Sequence, residues 1–289
     1  MDKVRYPLNQ SPLYKIVGLG QLEKILCIEL KNLHRLLSPN NYRVWLNKKE
    51  REIQQPIRWL AQVHNRIGRL LSRIDLPDYL FSQKGRSYID NAKQHCNSHP
   101  LGKTDITKFY TSTTHAMVRR MFTNIFKCAG DVAKILADIC CYKQQHLPTG
   151  STLSGRVAFF SALPMFKSIE TLAQKNKSKM TIYVDDITLS GPLVTKRFMS
   201  DIRGIIRQHG LKTKRAKTAT FAKDSAKPVT GVIVFEDGVR LPNSRHKLIW
   251  ETRQALKVAS ITEREELLKS LRGRIQEEKQ IKRIATANI

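Results

Sequence analysis

Two adjacent aspartates interrupt an apolar, β-rich stretch of this chain. Residues 180–190 read MTIYVDDITLS, and β-branched or aromatic residues flank Asp185 and Asp186 on both sides. Such a run predicts two strands joined by a turn at the aspartates. Carboxylates in this setting repel each other and lose hydration, and a divalent cation would remove that penalty. The alternative is a polar hairpin turn, which the dipeptide taken alone favours.

The elements predicted around this hairpin mix helices and strands. Apolar periodicity, prolines and glycines predict each segment. In chain order they are helix 13–37, strand 42–46, a helix opened by Pro56 and closed by Pro77, strand 101–106, helix 115–140, helix 156–175 kinked at Pro164, helix 195–209, two strands within 217–236 and helix 245–287. This order indicates an α+β protein with a sheet at its centre and helices around it.

The charge balance indicates a polyanionic partner. Lys and Arg number 51 against 24 Asp and Glu, which gives a formal net charge of +27. Nucleic acid is the usual partner of such a surplus, because each neutralised phosphate releases a condensed counterion. A membrane surface is less favoured, since the basic residues are spread along the chain and not gathered on one amphipathic helix. Charge alone does not identify an enzyme.

Targeting and cysteine signals indicate a cytoplasmic protein. No apolar run has the length of a membrane span, and the N-terminal residues MDKVRYPLNQ lack the pattern of a signal peptide. The five cysteines include no CxxC pair, so we expect reduced, mostly buried thiols. We therefore expect no membrane partner.

A third carboxylate completes a candidate site. Asp105 ends a predicted apolar strand in a chain where acidic residues are scarce. Nucleotidyl transfer can use two metal ions about 3.5–4 Å apart, one activating the attacking hydroxyl and one stabilising the leaving oxygen. Magnesium prefers carboxylates plus substrate phosphates to a cage made only of protein ligands. Asp105, Asp185 and Asp186 on neighbouring strands would supply such a site.

Several short motifs, in the same order, resemble those of reverse transcriptases. They are a YxDD box at Tyr183–Asp186, a D-[LI]-x-x-F-F-x-S segment at 105–112, an LPxG segment at 147–154, a fingers segment Y…K…R-x-I-x-x-P at 42–56 and a G…KT stretch at 210–218. Two more resemble the retron branch, namely NAxxH at 91–95 and VTG at 229–231. The chain is therefore similar to retron-type bacterial reverse transcriptases.

The resemblance implies a right-hand polymerase with fingers, a palm made of an antiparallel sheet with helices, and a short helical thumb. The implied divisions are an N-terminal helical extension at 1–40, fingers with the NAxxH segment at 41–100, a palm at 101–240 that includes part of the fingers at 115–150, and a thumb at 241–289.

The implied activity is that of an RNA-directed DNA polymerase. By resemblance it copies a structured non-coding RNA into single-stranded DNA (msDNA), primed from an RNA 2′-hydroxyl, within an anti-phage defence system. The implied partners are that RNA and its RNA–DNA product, dNTPs and an effector protein.

The resemblance also assigns roles residue by residue. Asp105, Asp185 and Asp186 are the expected catalytic residues, and together with Ile106 they are the expected ligands of two Mg²⁺ ions. The expected nucleotide-binding residues are Lys48, Arg51, Tyr110, Thr149, Gly150 and Lys217. The expected RNA-binding residues are Asn91, His95, Val229, Thr230 and Gly231.

Some of these positions have a purely structural alternative. Tyr110 occupies the position of the family's sugar gate, and Phe109 beside it is the better candidate for a core aromatic. Lys48 lies in a basic run that can be plain solvated charge. Asn91 and His95, taken alone, would read as a local cap and a satisfied core histidine.

The chain departs from the common LPQGAPTSP form, with Thr149 in place of Gln and Gly155 in place of Pro. Because that Gln lies beside the sugar of the incoming nucleotide in the family, nucleotide affinity or fidelity can differ here. Two other functions stay open. One is another bacterial reverse transcriptase, of the group II intron or abortive-infection kind, and the other is an RNA-binding scaffold that has lost catalysis.

Overall fold

The structure, a computed structural model, describes residues 5–286. Residues 1–4 and 287–289, which begin the predicted N-terminal extension and end the predicted thumb, lie outside the described residues. The helices are α1 (Leu19–Leu26), α2 (Leu33–Leu36), α3 (Arg58–Leu71), α4 (Tyr88–Lys93), α5 (Phe109–Ser112), α6 (His115–Arg120), α7 (Gly130–Cys140), α8 (Ser154–Ser161), α9 (Leu163–Lys175), α10 (Lys196–Gln208), α11 (Asn243–Val258) and α12 (Ile261–Thr286). The strands are β1 (Tyr42–Leu46), β2 (Glu52–Pro56), β3 (Leu101–Asp105), β4 (Lys179–Tyr183), β5 (Asp186–Ser190), β6 (Ala219–Phe221), β7 (Lys227–Val229), β8 (Val232–Phe235) and β9 (Gly238–Arg240).

Within residues 5–286 these strands form three sheets. β1 pairs with β2, the order β4-β5-β3-β6 forms a four-stranded sheet, and the order β7-β8-β9 forms a three-stranded sheet. Every strand pair is antiparallel. The predicted α+β class, with antiparallel sheets and flanking helices, is confirmed.

The chain divides into two compact units. The first takes in the chain up to Pro77, Ile106–Ile169 and Gly204–Lys212. Its helix α3 carries a buried stripe at helical spacing, made of Leu60, Val63, His64, Ile67 and Leu71. This unit contains most of the predicted nucleotide-binding residues, namely Lys48, Arg51, Tyr110, Thr149 and Gly150.

The second unit takes in Asp78–Asp105, Glu170–Arg203 and the chain from Thr213 onward. It contains the four-stranded and three-stranded sheets. Its helix α4 begins at a capping box formed by Ser87 and Asp90. A buried apolar cluster joins the three-stranded sheet to α4, α11 and α12, and its members are Ile89, Ala92, Leu101, Val229, Val232, Val234, Val239, Leu241, Ile249 and Ile281.

Two predicted helices are interrupted in the structure. The segment 115–140 contains α6, a π-helical turn at Met121–Ile125 and then α7, with residues 126–129 outside any helix. The segment 156–175 is two helices, α8 and α9, and Pro164 lies in the first turn of α9. A proline in a first turn lacks only an N–H that has no helical partner anyway, so it begins a helix here and does not kink one.

The region 217–236 holds three strands, β6 to β8, where two were predicted, and β9 follows at once. Thr230 and Gly231 connect β7 to β8 with positive φ values of 42° and 96°. The extra strand arises because this turn divides the stretch 227–235 into two short strands, β7 and β8.

Three of the five cysteines, Cys128, Cys140 and Cys141, are buried, and all five are free thiols. None of the helices in the described part of the chain combines the length and apolarity that crossing a membrane requires.

Candidate active site

The β4–β5 hairpin brings the carboxylates to one end of the four-stranded sheet. Tyr183 pairs with Asp186, so Val184 and Asp185 form the two-residue turn. Val184 has φ 61°, a left-handed conformation that a β-branched residue rarely adopts. On the neighbouring strand β3, Asp105 is the cross-strand partner of Asp186. The three aspartates therefore lie at the same end of adjacent strands.

Asp185 and Asp186 lie in surroundings that oppose the charge of their carboxylates. Burial, followed by the negative charges of Asp186 and Asp105, raises the pKa of Asp185 to about 6. Burial and the charge of Asp105 also raise the pKa of Asp186. A nearby cation would offset both effects.

Lys217 supplies one such cation. Its Nζ donates to Asp105 Oδ2 at 2.6 Å, and this hydrogen bond is the main reason that the pKa of Lys217 is raised. The hydroxyl of the next residue, Thr218, lies 2.8 Å from Thr104 Oγ1 on β3, which fixes the Lys217 segment beside the sheet. The G…KT resemblance predicts that Lys217 lies near the aspartates, and in the structure Lys217 contacts Asp105.

Sequence reasoning missed Lys103, on the same strand as Asp105. Burial lowers its pKa, while the charge of Asp186 acts in the opposite direction. Its Nζ donates to the Pro228 carbonyl at 3.0 Å. Its position could have indicated this role. Lys103 lies two residues before Asp105 in a strand, and side chains two residues apart face the same side of a sheet.

The donor set suits a hard divalent cation. Among residues 5–286, no three His, Cys, Asp or Glu side chains stand close enough, in their present conformations, to form a metal-binding group. In this arrangement the Asp105 carboxylate is paired with the ammonium group of Lys217. The carboxylate oxygens of Asp105, Asp185 and Asp186 are nevertheless the hard donors that Mg²⁺ prefers.

In the first unit, the LPxG segment is fastened to strand β2. Thr149 Oγ1 donates to the Glu52 carbonyl at 2.9 Å and accepts from the Gln54 N–H at 3.2 Å. The Gly150 N–H donates to the Gln54 carbonyl at 3.1 Å, and a Cβ on Gly150 would come within 2.9 Å of that oxygen. Gly150 thus permits a close approach, but in this structure the partner is the chain's own β2.

A buried histidine supports the same segment. His64 Nε2 lies 2.8 Å from the Ile139 carbonyl and must donate to it, so Nδ1 accepts from Ser151 Oγ at 2.7 Å. Burial lowers the pKa of His64 to about 4, which keeps the ring neutral. The segment is therefore held at Thr149 and again at Ser151.

The other predicted nucleotide-binding residues of this unit lie on a hairpin turn and a short helix. Lys48 and Arg51 are exposed, and the turn between β1 and β2 is capped by Asn47 Oδ1, which accepts from the Arg51 N–H at 3.1 Å. Phe109 is buried as predicted, and Tyr110 is partly exposed with its ring stacked on Phe109 at 6.2 Å. Both residues belong to α5, where neighbouring side chains point in different directions around the helix.

The predicted RNA-binding residues are mostly inside the second unit. Asn91, His95 and Val229 are 1%, 0% and 0% exposed. Asn91 lies on α4, which ends at Lys93, whereas His95 lies in the loop that follows this helix. Thr230 and Gly231, in the β7–β8 turn, are the more accessible members of the set.

Three curated proteins are similar to this chain over most of its length. The Retron Se72 reverse transcriptase of Salmonella heidelberg is 29% identical over 86% of this chain and 69% of that protein. The Retron Ec48 reverse transcriptase of Escherichia coli is 26% identical over 89% of this chain and 68% of that protein. The Retron Ec86 reverse transcriptase of Escherichia coli is 25% identical over 80% of this chain and 76% of that protein. No family model matches the chain.

Among solved structures, a telomerase from Candida albicans in complex with the TWJ fragment of telomeric RNA has a similar fold. The TM-score is 0.50 at 10% identity, over 75% of this chain and 50% of the telomerase chain. Together these findings confirm the retron-type resemblance, the right-hand polymerase fold and the prediction of an RNA-directed DNA polymerase. That similarity implies dependence on a divalent metal ion and a nucleic-acid partner.

Proposed function

We propose that this chain, a reverse transcriptase of the retron type, copies a structured non-coding RNA into single-stranded DNA (msDNA). The observation that carries the proposal is the convergence of Asp105, Asp185 and Asp186 at one end of an antiparallel sheet. Burial and nearby negative charge oppose the ionisation of Asp185 and Asp186, in a protein of net charge +27. Such carboxylates suit chemistry on a polyphosphate substrate bound with cations.

The reaction is template-directed DNA synthesis from dNTPs. A primer hydroxyl attacks the α-phosphate of the dNTP, a phosphodiester bond forms and pyrophosphate leaves. Asp105, Asp185 and Asp186, with the backbone carbonyl of Ile106, would hold two Mg²⁺ ions, which when bound activate the hydroxyl and stabilise the leaving oxygen. The ammonium group of Lys217 orients the Asp105 carboxylate through its hydrogen bond.

In this proposal three further residues contact the nucleotide, and two more hold the LPxG segment in place. Arg51 and Lys48 contact the triphosphate, Arg as a planar fork and Lys as a point charge. Tyr110 packs its ring under the deoxyribose and leaves no room for a 2′-hydroxyl. Thr149 and Gly150 hold the LPxG segment in place, since the Thr149 hydroxyl is already bonded to β2.

The retron resemblance extends the proposal to priming and partners. DNA synthesis starts from the 2′-hydroxyl of a guanosine in the same RNA and gives a branched RNA–DNA product. Thr230 and Gly231 are the part of the two retron motifs that this RNA can reach most readily. The protein works in the cytoplasm with an effector protein, as part of an anti-phage defence system.

Primer extension with Mg²⁺ on poly(rA)·oligo(dT) tests the catalytic assignment. Replacing Asp185→Asn and Asp186→Asn together should reduce extension by at least about 100-fold, because charge stabilisation at the reacting phosphate is lost. Asp201→Asn, at an exposed position of α10, is the matched control and should extend like the wild type. Equal extension by the double variant and the wild type contradicts the assignment.

Sequencing the nucleic acid that copurifies with the protein tests the retron assignment. We expect a short DNA joined to an RNA guanosine through a 2′-linkage. Linear DNA without a branch would favour a group II intron or abortive-infection type of enzyme. Bound RNA with no DNA, from a wild type that extends no primer, would favour a catalytically inactive scaffold.

A further inference from the structure

His95 packs against the hairpin that carries Asp185 and Asp186 and contacts a side chain on each of its two strands. Its side chain is 0% exposed. Nδ1 lies 2.8 Å from Ser190 Oγ on β5, and Nε2 lies 2.7 Å from Thr181 Oγ1 on β4. A neutral imidazole has one donor and one acceptor, so these two hydroxyls satisfy both ring nitrogens. The side chain therefore bridges β4 and β5.

The surroundings keep this imidazole neutral. Burial, aided by the positive charges of Lys179 and Lys227, lowers the pKa of His95 to about 3. Near neutral pH the bridge is consequently a pair of ordinary hydrogen bonds between uncharged groups.

The loop that follows α4 is also hydrogen-bonded to Ser190, the last residue of β5. Asn97 Nδ2 donates to Ser190 Oγ at 3.1 Å. The buried Lys227, on β7, donates from Nζ to the carbonyls of Asn97 and His99, each at 2.9 Å. His95 is thus held in a loop that is attached both to the hairpin and to the three-stranded sheet.

The NAxxH and VTG segments also contact each other. Asn91 Nδ2 lies 3.5 Å from Thr230 Oγ1, which in turn donates to the Tyr88 carbonyl at 2.8 Å. Val229 is buried in the apolar cluster between the three-stranded sheet and α4. The buried members of both motifs therefore join elements of the second unit to each other.

We propose that His95 is a positioning residue, which through Thr181 and Ser190 sets the two strands whose turn carries the catalytic aspartates. Thr181 lies four residues before Asp185, and Ser190 lies four residues after Asp186. A shift of either strand at the bridge displaces the carboxylates, and misplacing reacting groups by about 1 Å can cost about 100-fold in rate. This role serves catalysis on any template and needs no contact between His95 and RNA.

The inference rests on the proposed function, since DNA synthesis is its readout. The test measures kcat and KM for dTTP on poly(rA)·oligo(dT), a template without retron RNA. His95→Leu removes both hydrogen bonds of the ring. Thr181→Val and Ser190→Ala each remove one of them, and Ser190→Ala also removes the bond from Asn97, so Thr181→Val is the cleaner of the two. Thr188→Val is the matched control, a buried threonine on β5 whose hydroxyl does not bond to His95, because both ring nitrogens are engaged elsewhere.

We expect kcat to fall about 10- to 100-fold in His95→Leu and about 3- to 10-fold in each hydroxyl variant, with KM within about 2-fold of wild type. His95→Gln should recover part of kcat, because an amide can both donate and accept. All measurements are made where circular dichroism shows each variant folded, so that a purely stabilising role would leave kcat unchanged. Thr188→Val should match the wild type.

Wild-type kcat in folded Thr181→Val and Ser190→Ala overturns the proposal, and these two variants decide it even if His95→Leu does not fold. A loss seen equally in Thr188→Val also overturns it, since the effect would then not pass through His95. If the wild type itself extends no primer, the proposed function has failed instead, so the two failures are distinguishable.

Discussion

At the scale of single residues, the fold disfavours the ionised form of the Asp185 carboxylate. Burial and the charges of Asp186 and Asp105 raise its pKa from 3.8 to about 6. A carboxyl whose pKa is higher in the folded state stabilises the fold most below its unfolded pKa, and this contribution is lost as the pH rises through the folded pKa. Above about pH 6 the ionised carboxylate therefore destabilises the metal-free protein.

Asp185→Asn should consequently raise the midpoint of thermal unfolding in EDTA at about pH 7.5, and the gain should vanish near about pH 4. Calorimetric melts of wild type and variant across this pH range measure the effect, with Asp201→Asn as the control for removing one charge. Mg²⁺ should raise the midpoint of the wild type more than that of the variant, because binding to the folded state stabilises it. Equal midpoints in EDTA at about pH 7.5 would contradict the prediction.

At the scale of elements, the glycine that follows β5 limits how the base of the catalytic hairpin packs. A Cβ on Gly191 would come within 2.8 Å of Ser178 Cα and 2.9 Å of the Lys177 carbonyl, both of them backbone atoms that cannot turn away. Gly191→Ala should therefore lower the free energy of unfolding by about 1–3 kcal/mol, as overpacking does. Urea denaturation measures this change.

Gly204→Ala is the matched control. Gly204 lies within α10, and a Cβ there has no neighbour within 4 Å. This substitution should raise the free energy of unfolding by about 0.5–1 kcal/mol through helix propensity alone. If both alanine variants gain stability, the tight approach at Gly191 is not a constraint.

The catalytic hairpin and the strand that ends at Asp105 could be predicted from local sequence. Their apolar, β-branched residues need no distant partner to indicate strands, and the motif order brings the aspartates together. The break in the predicted helix 115–140 could not be predicted in this way. It depends on a distant contact, since the Ala129 N–H donates to the Ile16 carbonyl at 2.9 Å, and on Lys127, which has φ 58°.

The same limit applies within the candidate site. Motif spacing is enough to predict Lys217 beside Asp105. The sequence does not decide whether Asn91 and His95 are buried in the core or contact RNA, because their burial depends on a sheet whose strands are far away in the chain. The contacts of Thr149 with β2 could not be predicted from the sequence either, since they join residues 95 or more positions apart.

At the scale of the whole molecule, the net charge of +27 makes nucleic-acid binding strongly dependent on salt. When binding releases counterions, log K for binding falls linearly as the logarithm of the salt concentration rises. The slope of this line is set by the number of phosphates that the protein contacts. The predicted thumb, helices α11 and α12, carries many basic side chains. If a duplex lies along these helices, the phosphates that contact those side chains account for part of the slope. Arg253 and Lys257 are exposed on α11, one helical turn apart.

Replacing both residues, Arg253→Gln with Lys257→Gln, should reduce the magnitude of the slope by about 2, since each phosphate contact contributes about 1. Fluorescence anisotropy of labelled poly(rA)·oligo(dT) over a range of NaCl concentrations measures it. Lys24→Gln with Lys31→Gln, exposed lysines of the N-terminal region, removes the same charge and should leave the slope unchanged. An equal change in both double variants would mean that overall charge drives binding, and an unchanged slope in the α11 variant would mean that the predicted thumb does not follow the duplex.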